Sequence, residues 1–194
     1  MRLRPRLSTL LLCTFCGIGY NNAALAADSY TLDPGHTFPR WQVDHFGFST
    51  HHGQFNKTTG KLVLDAKAGT GSLDVTVDAA SVATGDPALE KHLRAADFFD
   101  VQKFPTLTFK SKSMKFDGGK PVSVSGDFTL LGVTRPITFQ IVRSNCAMHP
   151  IVKKAACGAQ VEGTLKRSDF GMKFGVPGLG DEIRLSIQVE AIKD

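Results

Sequence analysis

Apolar and polar positions alternate along much of the chain. Leu73, Val75 and Val77 are separated by Asp74 and Thr76, and the same period of two runs through residues 107–109, 137–141 and 183–189. Successive side chains of a strand point to opposite faces, so each run presents one oily face and one polar face. Turn residues punctuate the runs at Thr59 and Gly60, residues 69–71, residues 117–119 and residues 178–180. The pattern predicts an all-β fold of about eight antiparallel strands, and a sheet that long must close into a barrel or pair with another sheet to hide its apolar face. Residues 86–97 break the period. Pro87 near a start position, with Leu89 and Leu93 four apart, predicts a short amphipathic helix that lids or flanks the barrel. No repeat, low-complexity tract or interdomain linker interrupts the chain.

The N-terminus changes what the rest must be. Arg2, Arg4 and Arg6 precede a largely apolar run over 7–20, and Ala24 and Ala26 supply the small residues of a peptidase site. The run falls short of the roughly 20 residues that span a bilayer, so residues 1–26 read as a cleavable signal peptide and no stable membrane span is expected. Residues 27–194 then form one domain in the periplasm. The leader's three arginines account for three of the five net positive charges. The mature domain is therefore close to neutral and has no Lys/Arg stripe, which excludes nucleic acid as an expected partner. Cys13 and Cys16 lie in the leader and lack the small preceding residue that lipoprotein processing requires. Cys146 and Cys157 remain, in an oxidising compartment where such a pair becomes a disulfide. Ten intervening residues and the absence of a second pair exclude a CxxC redox or zinc motif.

A barrel of about eight strands is either filled by its own side chains or holds one small ligand. Of the 14 phenylalanines only Phe15 is in the leader, so the interior can be hydrocarbon in character, but composition does not choose between core and cavity.

Four landmarks in order over nearly all of the mature chain add a resemblance. They are YTLDPGH at 30–36 with Trp41, Val43, His45 and GQF at 53–55; SVAT at 81–84 and HLRAADFFD at 92–100 leading into FPTLTF at 104–109; GDFTLLGVTRP at 126–136; and RSDFG at 167–171 with Gly180, Asp181 and the closing strand. The chain thereby resembles the YceI-like family of periplasmic, polyisoprenoid-binding, lipocalin-like proteins. Thr37 in place of a usual serine, Pro39 in the first strand and the Cys146/Cys157 loop depart from the family pattern. The resemblance implies a lipocalin-like barrel, an elongated cavity for an isoprenoid or similar long-chain lipid, no catalytic apparatus, no cofactor besides the lipid, and often a homodimer.

Parity assigns the wall. Trp41, Val43 and His45 share one face of the first strand, opposite Arg40, Gln42 and Asp44. The same rule selects Phe55, Val75, Leu107, Phe109, Phe128, Leu130, Phe139, Leu165 and Leu185, together with Leu73, Val77, Val124, Ile137, Ile183 and Ile187. His45 and Arg167 are the candidates for a polar head group, Arg167 having the alternative of bonding carbonyls at the barrel mouth. His36, His45, His51 and His52 cluster in sequence, but the adjacent His51 and His52 point to opposite faces and no spacing completes a metal site. They are expected at an exposed hairpin. Phe98 and Phe99 either guard an entrance or pack the helix, and Phe170, Met172 and Phe174 either line a mouth loop or form a strand. No nucleophile elbow, Cys/His pair or buried carboxylate pair is present. The expected function is carriage of an isoprenoid such as a quinone or polyprenyl lipid, the rivals being an enzyme at the barrel mouth with His45 as general base and a packed barrel that works through its surface.

Overall fold

The computed structural model describes residues 27–194, and the signal peptide expected over 1–26 lies outside the described residues. The strands are β1 (Asp28–Leu32), β2 (Phe38–His45), β3 (Ser49–Phe55), β4 (Thr58–Asp65), β5 (Thr70–Asp78), β6 (Val82–Ala83), β7 (Thr106–Asp117), β8 (Lys120–Leu130), β9 (Val133–Met148), β10 (Ala155–Lys166) and β11 (Glu182–Lys193), with one helix, α1 (Pro87–Leu93). β1 and β2 are two halves of one kinked strand, since both pair with β11 along its length. β3 and β4 are likewise the partners of β2 and β1. With each kinked pair taken as one, eight antiparallel strands form a ring that closes where β11 meets β1 and β2. The two-residue β6 only adds an antiparallel pairing to β3 at Gln54 and Phe55. This is the lipocalin-like barrel with a short helix that the alternation and the resemblance predict. Among the described residues no helix is long and apolar enough to cross a membrane.

The kink between β1 and β2 is built from side chains. Asp33 accepts from the Gly35 amide at 2.9 Å and pairs with His36 at 2.7 Å. The buried Thr37 hydroxyl donates to the Glu190 carbonyl at 3.1 Å and accepts from the Glu190 amide at 3.3 Å, replacing the ladder that the break removes. Pro39 sits beside that break, one residue before β2 begins to pair with β3 at Arg40. Gly60 is a correction to the turn reading. It lies inside β4, where a Cβ would come within 2.3 Å of the Asp74 carbonyl and 2.8 Å of the Leu32 side chain.

Gly53 has a comparable task. It stands opposite Trp41 on the β2–β3 ladder, and a Cβ there would lie 2.1 Å from the indole ring. Gly53→Ala is expected to push the indole out of place and destabilise by about 2 kcal/mol, read as a lowered Tm.

The turns at 66–69, 117–119 and 149–154 gather at one end of the barrel. The β2–β3 hairpin, the β6–β7 segment, the β8–β9 turn and residues 167–181 gather at the other. Asp86 caps α1 by accepting from the Ala88 and Leu89 amides, and Pro87 takes the first turn. The helix ends at Leu93, short of the expected 97, because residues 95–100 turn to bury Phe98 and Phe99 in the same cluster as Trp41, Phe55, Val77, Leu107 and Leu130.

Cys146 and Cys157 face each other across β9 and β10 and are bonded. The bond closes a short loop at the end opposite the helix. With a separation of 11 residues, chain-entropy reasoning assigns it about 3 kcal/mol. Replacing both cysteines by serine is expected to shift the denaturant midpoint down correspondingly, with the barrel still formed.

Candidate functional site

The inward faces of the strands enclose two apolar spaces. The first, about 160 Å³, lies toward the disulfide end and is lined by Leu62, Leu73, Val75, Phe109, Val124, Phe139 and Val161, with Met114, Pro121, Ser144, Cys146 and Cys157 toward that end. The second, about 100 Å³, lies toward the helix and is lined by Trp41, Val43, Leu93, Phe98, Phe99, Leu130, Leu165, Arg167 and Met172. Phe55, Leu107, Phe128 and Leu185 line both. Aromatic pairs stiffen the walls: Phe109 meets Phe139 edge-on at 5.3 Å, Phe55 meets Phe99 at 5.2 Å, and Phe128 meets Phe170 at 5.5 Å.

Sixteen of the eighteen parity-selected residues border one or both spaces. Ile137 does not, and neither does His45. His45 lies at the last position of β2, stacked on His51 at 4.1 Å and bridged to Leu179, which does border the helix-end space. Strand parity holds for a face but not for depth, and the end of a strand falls outside the enclosed volume. His51 and His52 lie in the β3 arm of the β2–β3 hairpin, His52 exposed and His51 half-buried. Among the described residues no three His, Cys, Asp or Glu side chains come together as a metal site.

Arg167 is inward and buried, but its guanidinium is committed elsewhere. Nε donates to the Gly180 carbonyl at 2.9 Å, one terminal nitrogen to Met172 at 3.2 Å and the other to Leu179 at 3.1 Å. Burial pushes the guanidinium below its ordinary value, with Asp181 opposing. Arg167 thereby holds residues 172–180 to the barrel end, the alternative its position also allowed, and it borders the helix-end space as well. The residues around it are a short turn (Arg167–Phe170) and a loop. Phe170 and Met172 pack inward, and Phe174 is exposed against Phe98 and His92.

Asp181 latches the same loop, accepting from the Ser168 amide at 2.9 Å and hydroxyl at 2.7 Å. Burial raises its carboxyl, but the Ser168 bonds and the nearby Arg167 and Lys166 charges outweigh this and hold it below the usual carboxylate value. A depressed folded-state value means the stabilisation is complete above the unfolded value near 4 and fades as pH falls through the lower folded one. The Tm gap between the native protein and Asp181→Asn is therefore expected to narrow as pH drops from neutrality to below about 4.

Two polar atoms beside these spaces are buried without a partner, Trp41 Nε1 and Thr58 Oγ1. Of the lining side chains only Arg167 is charged, and no carboxylate, imidazole or free thiol is among them. Among the described residues that line the spaces no general acid or nucleophile–base pair comes together, and the chemistry of this lining suits it to surround hydrocarbon.

Parity missed Leu62 and Leu64 on β4, because Val63 between them hides the alternation, and it missed Val161, which no flanking apolar pair marks.

Comparison with known proteins agrees with this geometry. The YceI-like domain family matches over residues 30–191. Protein YceI of Escherichia coli O157:H7 is 33% identical over 188 residues, covering 95% of this chain and 97% of its own. A Campylobacter jejuni YceI crystal structure superposes with a TM-score of 0.68 at 29% identity, over 78% of this chain and 90% of that one. A Saccharophagus degradans structure described as a polyisoprenoid binding domain superposes with a TM-score of 0.62 at 16% identity, over 85% and 98%, and shares the fold.

Proposed function

The chain belongs to the YceI-like family, and on that premise we propose that it is a periplasmic carrier that holds a long apolar lipid, an isoprenoid, within the barrel. The observation that carries this reading is the enclosed interior, whose lining is almost wholly hydrocarbon and whose one charged group is already bonded to carbonyls. A prenyl chain has nothing to hydrogen-bond, so its affinity derives from buried area at about 25 cal/mol per Å² less the cost of ordering the chain. That the Saccharophagus domain is described as polyisoprenoid-binding supports the choice of ligand class. No cofactor or metal enters the scheme. Binding rather than catalysis is the role that an interior without acid or base can serve.

Native mass spectrometry of protein exported and purified without detergent, followed by organic extraction, tests the proposal. A bound mass that extracts as an isoprenoid supports it and names the ligand. Protein that remains bare after incubation with quinones and polyprenols overturns it and leaves a barrel that works through its surface. The same spectrum reads the subunit mass and so tests the homodimer that the family resemblance implies.

A further inference from the structure

Phe55, Leu107, Phe128 and Leu185 come from β3, β7, β8 and β11, belong to one packed cluster and line both spaces, which sets them at the boundary between the two. They form a collar. The larger space, about 160 Å³, compares with dry apolar cavities of about 150 Å³ that take one benzene-sized molecule. Neither space alone holds a long chain, and a long chain must pass the collar to use both. We propose that this collar is the chain-length determinant of the site. Short apolar chains occupy the disulfide-end space with nothing displaced, whereas longer ones must turn collar side chains aside to reach the helix-end space.

The four members differ in freedom. Phe55 and Leu107 are buried, and Phe55 is braced edge-on by Phe99. Phe128 and Leu185 are only partly buried and lie three strands apart in the ring, so they are the half that moves. Displacing Phe128 disturbs its edge contact with Phe170, which lies in the turn anchored through Arg167. The barrier is thus tied to the latch that shapes the helix end.

This inference rests on the carrier reading, and a ladder of straight-chain 1-alkanols from propanol to hexadecanol tests the two separately. Binding is measured by displacement of a fluorescent apolar probe from the native protein, Phe128→Ala and Leu185→Ala. In the native protein affinity should climb roughly fourfold per methylene while the first space fills, then flatten near hexanol or heptanol. In both variants the flattening should vanish, leaving hexanol within about twofold of native and hexadecanol more than about tenfold tighter. Leu185→Ala keeps the test decisive if Phe128→Ala does not fold. A break at the same chain length in all three proteins, or no break in the native one, overturns the collar while the carrier reading stands. Failure of every alkanol to bind the native protein overturns both.

Discussion

Arg167→Met is expected to lower the free energy of unfolding by about 4 kcal/mol, the largest loss from any single polar side chain in the barrel. The figure follows from three carbonyls, those of Met172, Leu179 and Gly180, each losing its donor at the barrel end at a cost of roughly 1–2 kcal/mol. Methionine keeps apolar volume for the helix-end space while removing the donors, so the loss reports on hydrogen bonding more than on packing. Arg167→Lys should recover little, because a single ammonium cannot reproduce a planar fork aimed at three acceptors. Chemical denaturation measures the stability, and hydrogen exchange of residues 171–180 localises the effect. A methionine variant as stable as the native protein yet unable to retain lipid would show that the guanidinium serves a ligand head group after all.

The second large effect falls on lipid retention. Phe139 is buried on β9 against Phe109, and the next residue, Gln140, is exposed on the outer face. Phe139→Asp places a carboxylate in a lining that offers it no partner. The cost is several kcal/mol whether the group stays ionised or takes up a proton, and bound lipid should be lost completely. Gln140→Asp should retain lipid like the native protein. Because the Phe139 variant can fail to fold, Val161→Thr is its companion. It keeps the shape of the wall, sets a hydroxyl against the ligand, and should leave the barrel folded with lipid binding weakened about tenfold, equivalent to about 1.4 kcal/mol. Equal retention by Gln140→Asp, Val161→Thr and native protein, measured by extraction and mass spectrometry, would sink the wall assignment.

Much of this barrel is written in period two. Leu73, Val75 and Val77 on β5, Leu107 and Phe109 on β7, and Phe128 and Leu130 on β8 alternate with polar neighbours, and each of these residues borders the enclosed space. Alternation reports which face of a pleat a residue occupies, a local property independent of the rest of the chain. It fails where the local signal is blurred or where position along the barrel axis matters. Val63 masks Leu62 and Leu64. Gly60 has the composition of a turn and the position of a strand residue, because its lack of Cβ admits Leu32 and the β5 backbone. His45 has inward parity and lies off both spaces.

The sequence by itself determined the antiparallel alternation, the short helix with Pro87 at its start, most of the inward set, the cysteine pair and the family. All of these depend on residue type and near-neighbour spacing. Only the tertiary structure decided that β1 and β2 are one strand broken at Thr37, that Arg167 reaches carbonyls up to thirteen residues away, and that side chains from four strands line both spaces. These depend on which residues stand at the same height around a closed ring. That height follows from the stagger of eight paired strands, which no single strand's pattern encodes.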